Sequence, residues 1–189
     1  MRKLKLQMQM TVNGFTSGPN GEMDWMNWQW DDQLNGYVQA LTDSVDTIVL
    51  PGDFAQGFIP WWAKIAEDPQ HEEYASAVQF TEMHKVVFSE AFDLPTGTNT
   101  EFFTGELAEG IKQLKQQEGK DLIAYGGEVF VASLIKQELI DEFYLFINPT
   151  AIPDGQSIFH ELESYQPLTL KESLAFPCGI VLLHYALKE

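Results

Sequence analysis

The stretch DLIAYGGEVFVASLIKQELIDEFYLFINPTAIPDGQSIF, residues 121–159, decides the fold class. Its first apolar run, Leu122-Ile123-Ala124-Tyr125, stops at Gly126-Gly127. Helical spacing follows at Val129, Phe130, Leu134 and Ile135. A second apolar run, Phe143 to Ile147, leads into Asn148-Pro149 and a turn at Pro153-Asp154-Gly155. The order is strand, glycine pair, helix, strand. Glycines at the joint let a ligand approach the backbone, and the helix start offers unpaired N–H groups and partial positive charge. A tight turn without a ligand explains two glycines as well. Their place at the carboxyl end of a strand tilts the reading toward a phosphate cradle.

Working outward, residues 2–12 alternate. Leu4, Leu6, Met8, Met10 and Val12 face one way, and Lys3, Lys5, Gln7, Gln9 and Thr11 the other. That period of two predicts a half-buried strand, broken by Asn13-Gly14 and Gly18-Pro19-Asn20-Gly21. Helices are expected over 31–41, 72–84 and 107–117, the last stopped by Gly119. Short strands are expected over 47–50, closed by Pro51-Gly52, and over 86–88. Runs 168–176 and 180–187 flank Pro177-Cys178-Gly179 and read as a hairpin. Strands alternating with helices and then an antiparallel end predict one three-layer α/β domain over 1–189. It has a mixed central sheet, helices on both faces and a C-terminal antiparallel hairpin at one edge. Ligand loops are then expected after Leu50, Phe88 and Tyr125.

Composition narrows the function classes. The chain has 189 residues, enough for a sizeable core, and 44% of them are hydrophobic, which argues against disorder. No apolar run reaches the roughly 18 residues that span a membrane, and no signal-peptide core follows Met1-Arg2-Lys3. With a single cysteine, Cys178, a cytoplasmic protein is expected. A net charge of −17 repels nucleic acid and anionic membranes, so neither is an expected partner. Arg2 is the only arginine. A bound anion must therefore rely on backbone N–H groups, hydroxyls or lysines.

Several groups of residues have both a bland and a functional reading. Asp53, after Pro51-Gly52, is either a helix cap or a carboxylate against a ribose hydroxyl. Glu90, after Ser89, is either a solvated loop carboxylate or an acceptor for a ribose 2′-OH. Trp25, Trp28 and Trp30 stand among Asp24, Asp31 and Asp32. They line a flat heteroaromatic substrate, or they belong to the core or a dimer interface while the aspartates cap a helix. In the first case a carboxylate desolvated by indole rings has a raised pKa and acts as an acid. Trp61-Trp62 either extends that wall or simply packs. His71, His84, His160 and His184 lack metal spacing, and no nucleophile elbow or Walker loop is present.

These motifs together resemble the dihydrofolate reductase-like superfamily. The branch is the one that holds the reductase domain of bacterial riboflavin-biosynthesis deaminase-reductases. The likeness rests on Thr11-Val12-Asn13-Gly14-Phe15 after the first strand, Lys85-Val86-Val87-Phe88-Ser89, Asn99-Thr100 and Leu114-Lys115. It continues through Gly126-Gly127 and Leu139-Ile140-Asp141-Glu142 to Pro149, Gly155 and Phe159. The resemblance implies reduction of a pteridine- or pyrimidine-like heterocycle by NADPH or NADH, with catalysis mostly by positioning. By the same resemblance Gly126, Gly127 and the helix start at Glu128 bind pyrophosphate, and Gly52, Ser89 and Glu90 line the adenosine side. Asn13 and Gly14 sit near the nicotinamide, Trp25, Trp28 and Trp30 line the substrate, and Asp31 or Asp32 is the substrate-side carboxylate.

The chain departs from the family where a 2′-phosphate is usually neutralised. Asp53 and Glu90 stand at positions that are commonly basic, which weighs against NADPH and less against NADH. The alternative is a non-catalytic small-molecule-binding or dimerisation protein that kept the fold. A homodimer is expected in either case.

Overall fold

The structure is a computed structural model that describes residues 1–89 and 97–188. Its strands are β1 (Leu4–Thr11), β2 (Val45–Pro51), β3 (His84–Phe88), β4 (Thr100–Phe103), β5 (Asp121–Ala124), β6 (Glu142–Asn148), β7 (Leu168–Ala175) and β8 (Val181–Leu187). They form one sheet in the order β4-β3-β2-β5-β1-β6-β8-β7. Neighbours from β4 to β6 are parallel, whereas β8 runs antiparallel to both β6 and β7. The helices are α1 (Asp32–Asp43), α2 (Gly52–Ile65), α3 (Tyr74–Glu82), α4 (Leu107–Gln116) and α5 (Glu128–Lys136). Among the described residues no helix is long and apolar enough to cross a membrane.

Buried strands of a parallel sheet are apolar on both sides, and each side packs its own helices. Val49, Leu122 and Ala124 face Ile111 and Leu114 of α4 and Val131, Leu134 and Ile135 of α5. Their neighbours Ile48, Leu50 and Ile123 face Leu34 and Leu41 of α1 and Ala55 and Ile59 of α2. The result is the expected three-layer α/β domain with its hairpin at one edge. Gly179 closes that hairpin at φ +92, a left-handed conformation that suits glycine.

Two expectations need correction. The first strand is not half-buried: β1 lies between β5 and β6, with Lys5 and Thr11 buried. Leu4, Leu6 and Met10 pack toward α4 and α5, so the polar residues of β1 face the side of α1, α2 and α3. Alternation reports two different environments, and here the polar one is enclosed. Secondly, β4 was not expected, and α2 was hinted at only by the possible cap at Asp53. Gly57 and Pro60 interrupt the helical signal of α2, yet Ala55, Ile59 and Ile65 are buried along it. Tertiary packing outweighs the propensity cost, and Pro60 sits exposed. The expected helix over 72–84 is trimmed to α3, because Met83 is extended and His84 already pairs in β3.

At the amino ends of the strands, scarce cations are matched to carboxylates. Arg2 bonds Asp46, Lys3 Nζ lies 2.5 Å from Glu142, Lys5 Nζ 3.0 Å from Asp121, and Lys115 Nζ 2.6 Å from Asp141. Lys5 and Lys115 are buried, so loss of either carboxylate partner would strand a charge.

On the opposite face, α4 approaches the sheet closely at Gly110. An added Cβ there would lie 2.6 Å from the Phe88 ring and 2.8 Å from the Phe103 ring. Gly110→Ala is expected to lower the unfolding free energy by about 1–3 kcal/mol despite alanine's better helix propensity. Urea denaturation measures this, and a stabilised variant would contradict the packing described.

Candidate functional site

The carboxyl ends of the parallel strands share one edge of the sheet, and the chain crosses from β5 to β6 over β1. Such a change of direction is where open α/β sheets bind ligands. Here the residues leading out of β1, β2, β3 and β5 are Val12-Asn13-Gly14, Gly52-Asp53, Ser89 and Tyr125-Gly126-Gly127.

On the side of the sheet that carries α1, α2 and α3 lies a cleft of about 600 Å³. Its floor is Gln7 of β1 and Tyr125 directly after β5. The Tyr125 hydroxyl donates to Gln7 Oε1 at 3.0 Å, which leaves the Gln7 amide nitrogen as a donor. Burial pushes the Tyr125 phenol pKa above its ordinary value, so it stays a neutral donor. One wall is α1, through Asn35, Val38, Gln39 and Thr42, a helical i, i+3, i+4, i+7 set. The other is α2 and α3, through Phe58, Trp62 and Phe80. Phe58 stacks on Tyr125 with ring centroids 5.7 Å apart, and Trp62 and Phe80 lie 4.7 Å apart. Trp28 and Trp30 close the cleft as a stacked pair 6.4 Å apart. Among the described residues the charged lining ones are Glu72 and Glu73, ahead of α3.

The tryptophan loop is tied to the sheet. Asn148 at the end of β6 donates to Gln9 Oε1 at 2.7 Å and accepts from the Asn27 N–H at 2.9 Å. Asn27 in turn accepts at its carbonyl from Trp30 Nε1 at 2.9 Å and donates from its amide to the Cys178 carbonyl at 3.0 Å. Trp28, 67% exposed, and Trp30 line the cleft. Trp25 does not line the cleft. It is buried, and its Nε1 finds no partner among the described residues. Of the other pair, Trp62 joins the wall while Trp61 faces solvent.

Asp31 is a helix cap rather than a proton donor. Oδ1 accepts from the N–H groups of Gln33 and Leu34 at 2.9 and 3.0 Å, and Oδ2 from Cys178 N–H at 2.8 Å. Desolvation pushes its pKa up, but the bonds from Leu34, Cys178 and Gln33 outweigh it and hold the carboxyl below its usual range. That is the reverse of the raised pKa that the substrate-wall reading implied, and it matches the capping alternative. Asp32 is exposed in the first turn of α1 and does not line the cleft. Sequence reasoning missed Gln7, Phe58, Phe80, Glu72, Glu73 and Ser76 and the α1 set Asn35, Val38, Gln39 and Thr42, and it gave Tyr125 only as the residue before a ligand loop. Only the polar alternation of β1 carried any signal for them.

The glycine corner adjoins the cleft through Tyr125. Gly126 is required by packing, since an added Cβ would lie 2.9 Å from Phe130 and 3.0 Å from Pro51. Gly127 differs: among the described residues its Cβ position meets nothing within 4 Å, and it precedes α5 with no side-chain cap. The first N–H groups of α5 therefore lie beside exposed backbone, with Glu128 in the first turn. The N-terminus of α2 at Pro51-Gly52 also lacks a side-chain cap, and Asp53 is exposed in its first turn. Asn13 is held by Ile152, donating to its carbonyl at 2.8 Å, and Gly14 turns at φ +90. Ser89 directly follows β3, and its N–H donates to the Phe103 carbonyl at 3.2 Å. Glu90 lies outside the described residues.

A smaller cavity of about 240 Å³ shares Phe58, Trp62 and Phe80 with the cleft and includes Lys85. Burial pushes the Lys85 pKa down to about 8. Its Nζ donates to the carbonyls of Phe80, Thr81 and Met83, at 3.0, 2.8 and 2.6 Å, and so closes the end of α3.

Comparison with known proteins adds to this geometry. The family model of the RibD C-terminal domain matches residues 2–182. An uncharacterized protein of Bacillus subtilis strain 168, YyaP, is 29% identical over 97% of this chain and 94% of its own. A putative riboflavin biosynthesis protein from Shewanella sp. PV-4 shares the fold with a TM-score of 0.71 at 21% identity, over the whole of both chains. A Thermotoga maritima diaminohydroxyphosphoribosylaminopyrimidine deaminase/5-amino-6-(5-phosphoribosylamino)uracil reductase shares it with a TM-score of 0.68 at 13% identity. That match covers 99% of this chain and 57% of the Thermotoga one.

Asp31→Ala is expected to lower the thermal midpoint at pH 7 by removing three backbone acceptor contacts. A depressed folded-state pKa gives stability above the unfolded value of about 3.9. That stability is lost as pH falls through the folded value. The difference between wild type and variant should therefore shrink on acidification below about pH 4. A pH-independent difference in thermal scans would contradict the cap described.

Proposed function

The chain belongs to the RibD C-terminal domain family, and from that membership and the cleft we propose a nicotinamide-dependent oxidoreductase that reduces a pteridine- or pyrimidine-like heterocycle. One observation carries the reading: an aromatic-walled cleft whose floor residue, Tyr125, leads directly into the open Gly127 corner and the uncapped start of α5. The two adjoining features suit the two parts of such a reaction, a flat ring in the cleft and an anionic dinucleotide on the helix N-terminus.

The fit to a dinucleotide is uneven along its length. Gly127 leaves room for a pyrophosphate against the first N–H groups of α5. Asp53, exposed at the start of α2, disfavours a 2′-phosphate nearby, because like charges 4 Å apart repel by about 1 kcal/mol even in water. NADH is therefore less disadvantaged than in the family's usual pattern. A bound nicotinamide would supply the hydride. The chain's own part is to bind and orient: Gln7 presents an amide donor from the floor, and the aromatic rings hold a planar substrate and exclude water. A non-catalytic binding protein is the second reading, favoured by the engagement of Asp31 as a cap and by Asp53.

Tryptophan emission titrated with NADH and NADPH tests the proposal, because Trp28, Trp30 and Trp62 line the cleft. Both nucleotides should change it, NADH at no higher concentration than NADPH. Gly127→Asp should leave the melting temperature unchanged or slightly raised, since Asp is a good N-cap. It should also weaken either nucleotide by about tenfold or more, through a carboxylate on the phosphate path. If millimolar NADH and NADPH leave emission and melting temperature unchanged, the oxidoreductase reading is wrong.

A further inference from the structure

We propose that the cleft takes a planar heteroaromatic compound that is neutral or cationic and carries no phosphate. This rests on reading the cleft as the substrate site, and it separates the chain from the phosphoribosylated compound named for the Thermotoga protein.

The lining argues by charge and by donor type. Among the described residues its ionisable carboxylates are Glu72 and Glu73, which stand at the rim, and no described lysine, arginine or histidine lines the cleft. Its remaining polar side chains, among them Gln7, Asn35 and Gln39, are neutral amides or hydroxyls. Phosphate sites are built from guanidinium or ammonium groups or from free helix N-terminal N–H groups. The start of α3 lies at the rim, but Glu72 and Glu73 already place two negative charges in its field. The Glu73 N–H is engaged by His71 Nδ1 at 3.1 Å and the Tyr74 N–H by the His71 carbonyl at 3.0 Å.

The nearby cations are also committed. Lys5, two residues before Gln7 on the floor strand, bonds Asp121 and Ser44. Lys85 in the adjoining cavity is held by three carbonyls. Among the described residues, what remains is aromatic surface and the amides of Gln7 and Asn35, since Gln39 Nε2 already donates to Asp43 and Gln79. Phe58, Trp62 and Phe80 form one wall and Trp28 with Trp30 the closure, a combination that attracts flat rings and, more strongly, flat cations. A volume of about 600 Å³ accommodates a two- or three-ring system.

Three probes test this on the purified full chain by tryptophan quenching and calorimetry: riboflavin, its 5′-phosphate FMN, and the planar cation proflavine. Riboflavin and proflavine should bind, with FMN at least about tenfold weaker than riboflavin. Trp28→Ala should weaken riboflavin and proflavine together. Glu72→Gln with Glu73→Gln should weaken proflavine, strengthen FMN and leave riboflavin within about twofold, since only the charge term changes. FMN binding as tightly as riboflavin, proflavine indifferent to the carboxylate pair, or no binding by any of the three would overturn the proposal. Hydride transfer from NADH to phosphorylated heterocycles alone would sink this inference and leave the oxidoreductase reading standing. Riboflavin and proflavine binding with neither nucleotide bound would do the opposite.

Discussion

A polar strand face in the middle of a sheet must find hydrogen bonds inside the protein, and β1 imposes that requirement on everything around it. Lys5 reaches Asp121 and Ser44, Gln7 accepts from Tyr125, Gln9 accepts from Asn148, and Thr11 exchanges bonds with Phe15. Each partner fixes a different segment. Tyr125 fixes the exit from β5, and Asn148 fixes the tryptophan loop through Asn27. Phe15 fixes the turn after β1. The floor of the cleft and the attachment of its rims are thus one hydrogen-bond system.

Charge is distributed unevenly along the strands. Only 11 lysines and arginines face 28 acidic residues, and Arg2, Lys3, Lys5 and Lys115 are gathered at the amino edge of the sheet. The cleft is lined instead by neutral groups and by Glu72 and Glu73. The open backbone at Gly127 is the feature that still suits an anion.

Much of the architecture was legible in the sequence because it is written locally. Alternation marked β1, glycine pairs and prolines marked turns, and the strand–helix–strand order of 121–147 implied the parallel sheet. What escaped was set by contacts distant in sequence. Gln7 looked like solvent-facing alternation, because only the pairing of β1 with both β5 and β6 encloses it. Over residues 52–65 the sequence offered only a possible cap at Asp53, yet buried Ala55 and Ile59 make a helix, and Phe58 and Trp62 reach the cleft through it. Asp31 had two readings, an acid among indoles or a helix cap, and it is the cap. Its third hydrogen bond comes from Cys178, a contact that local sequence does not reveal.

Pro60 lies in α2 between Phe58 and Trp62, the two aromatic residues this helix contributes to the cleft wall. Lacking an N–H, it omits one rung of the helical ladder, and its ring crowds the carbonyl of Gln56. Phe58 spans that missing rung, with its ring 6.1 Å from Trp62 and 5.8 Å from Phe80 as well as stacked on Tyr125. One ring thus ties helix, sheet edge and α3 into a continuous aromatic surface, so a flat guest meets a single face and not separate side chains.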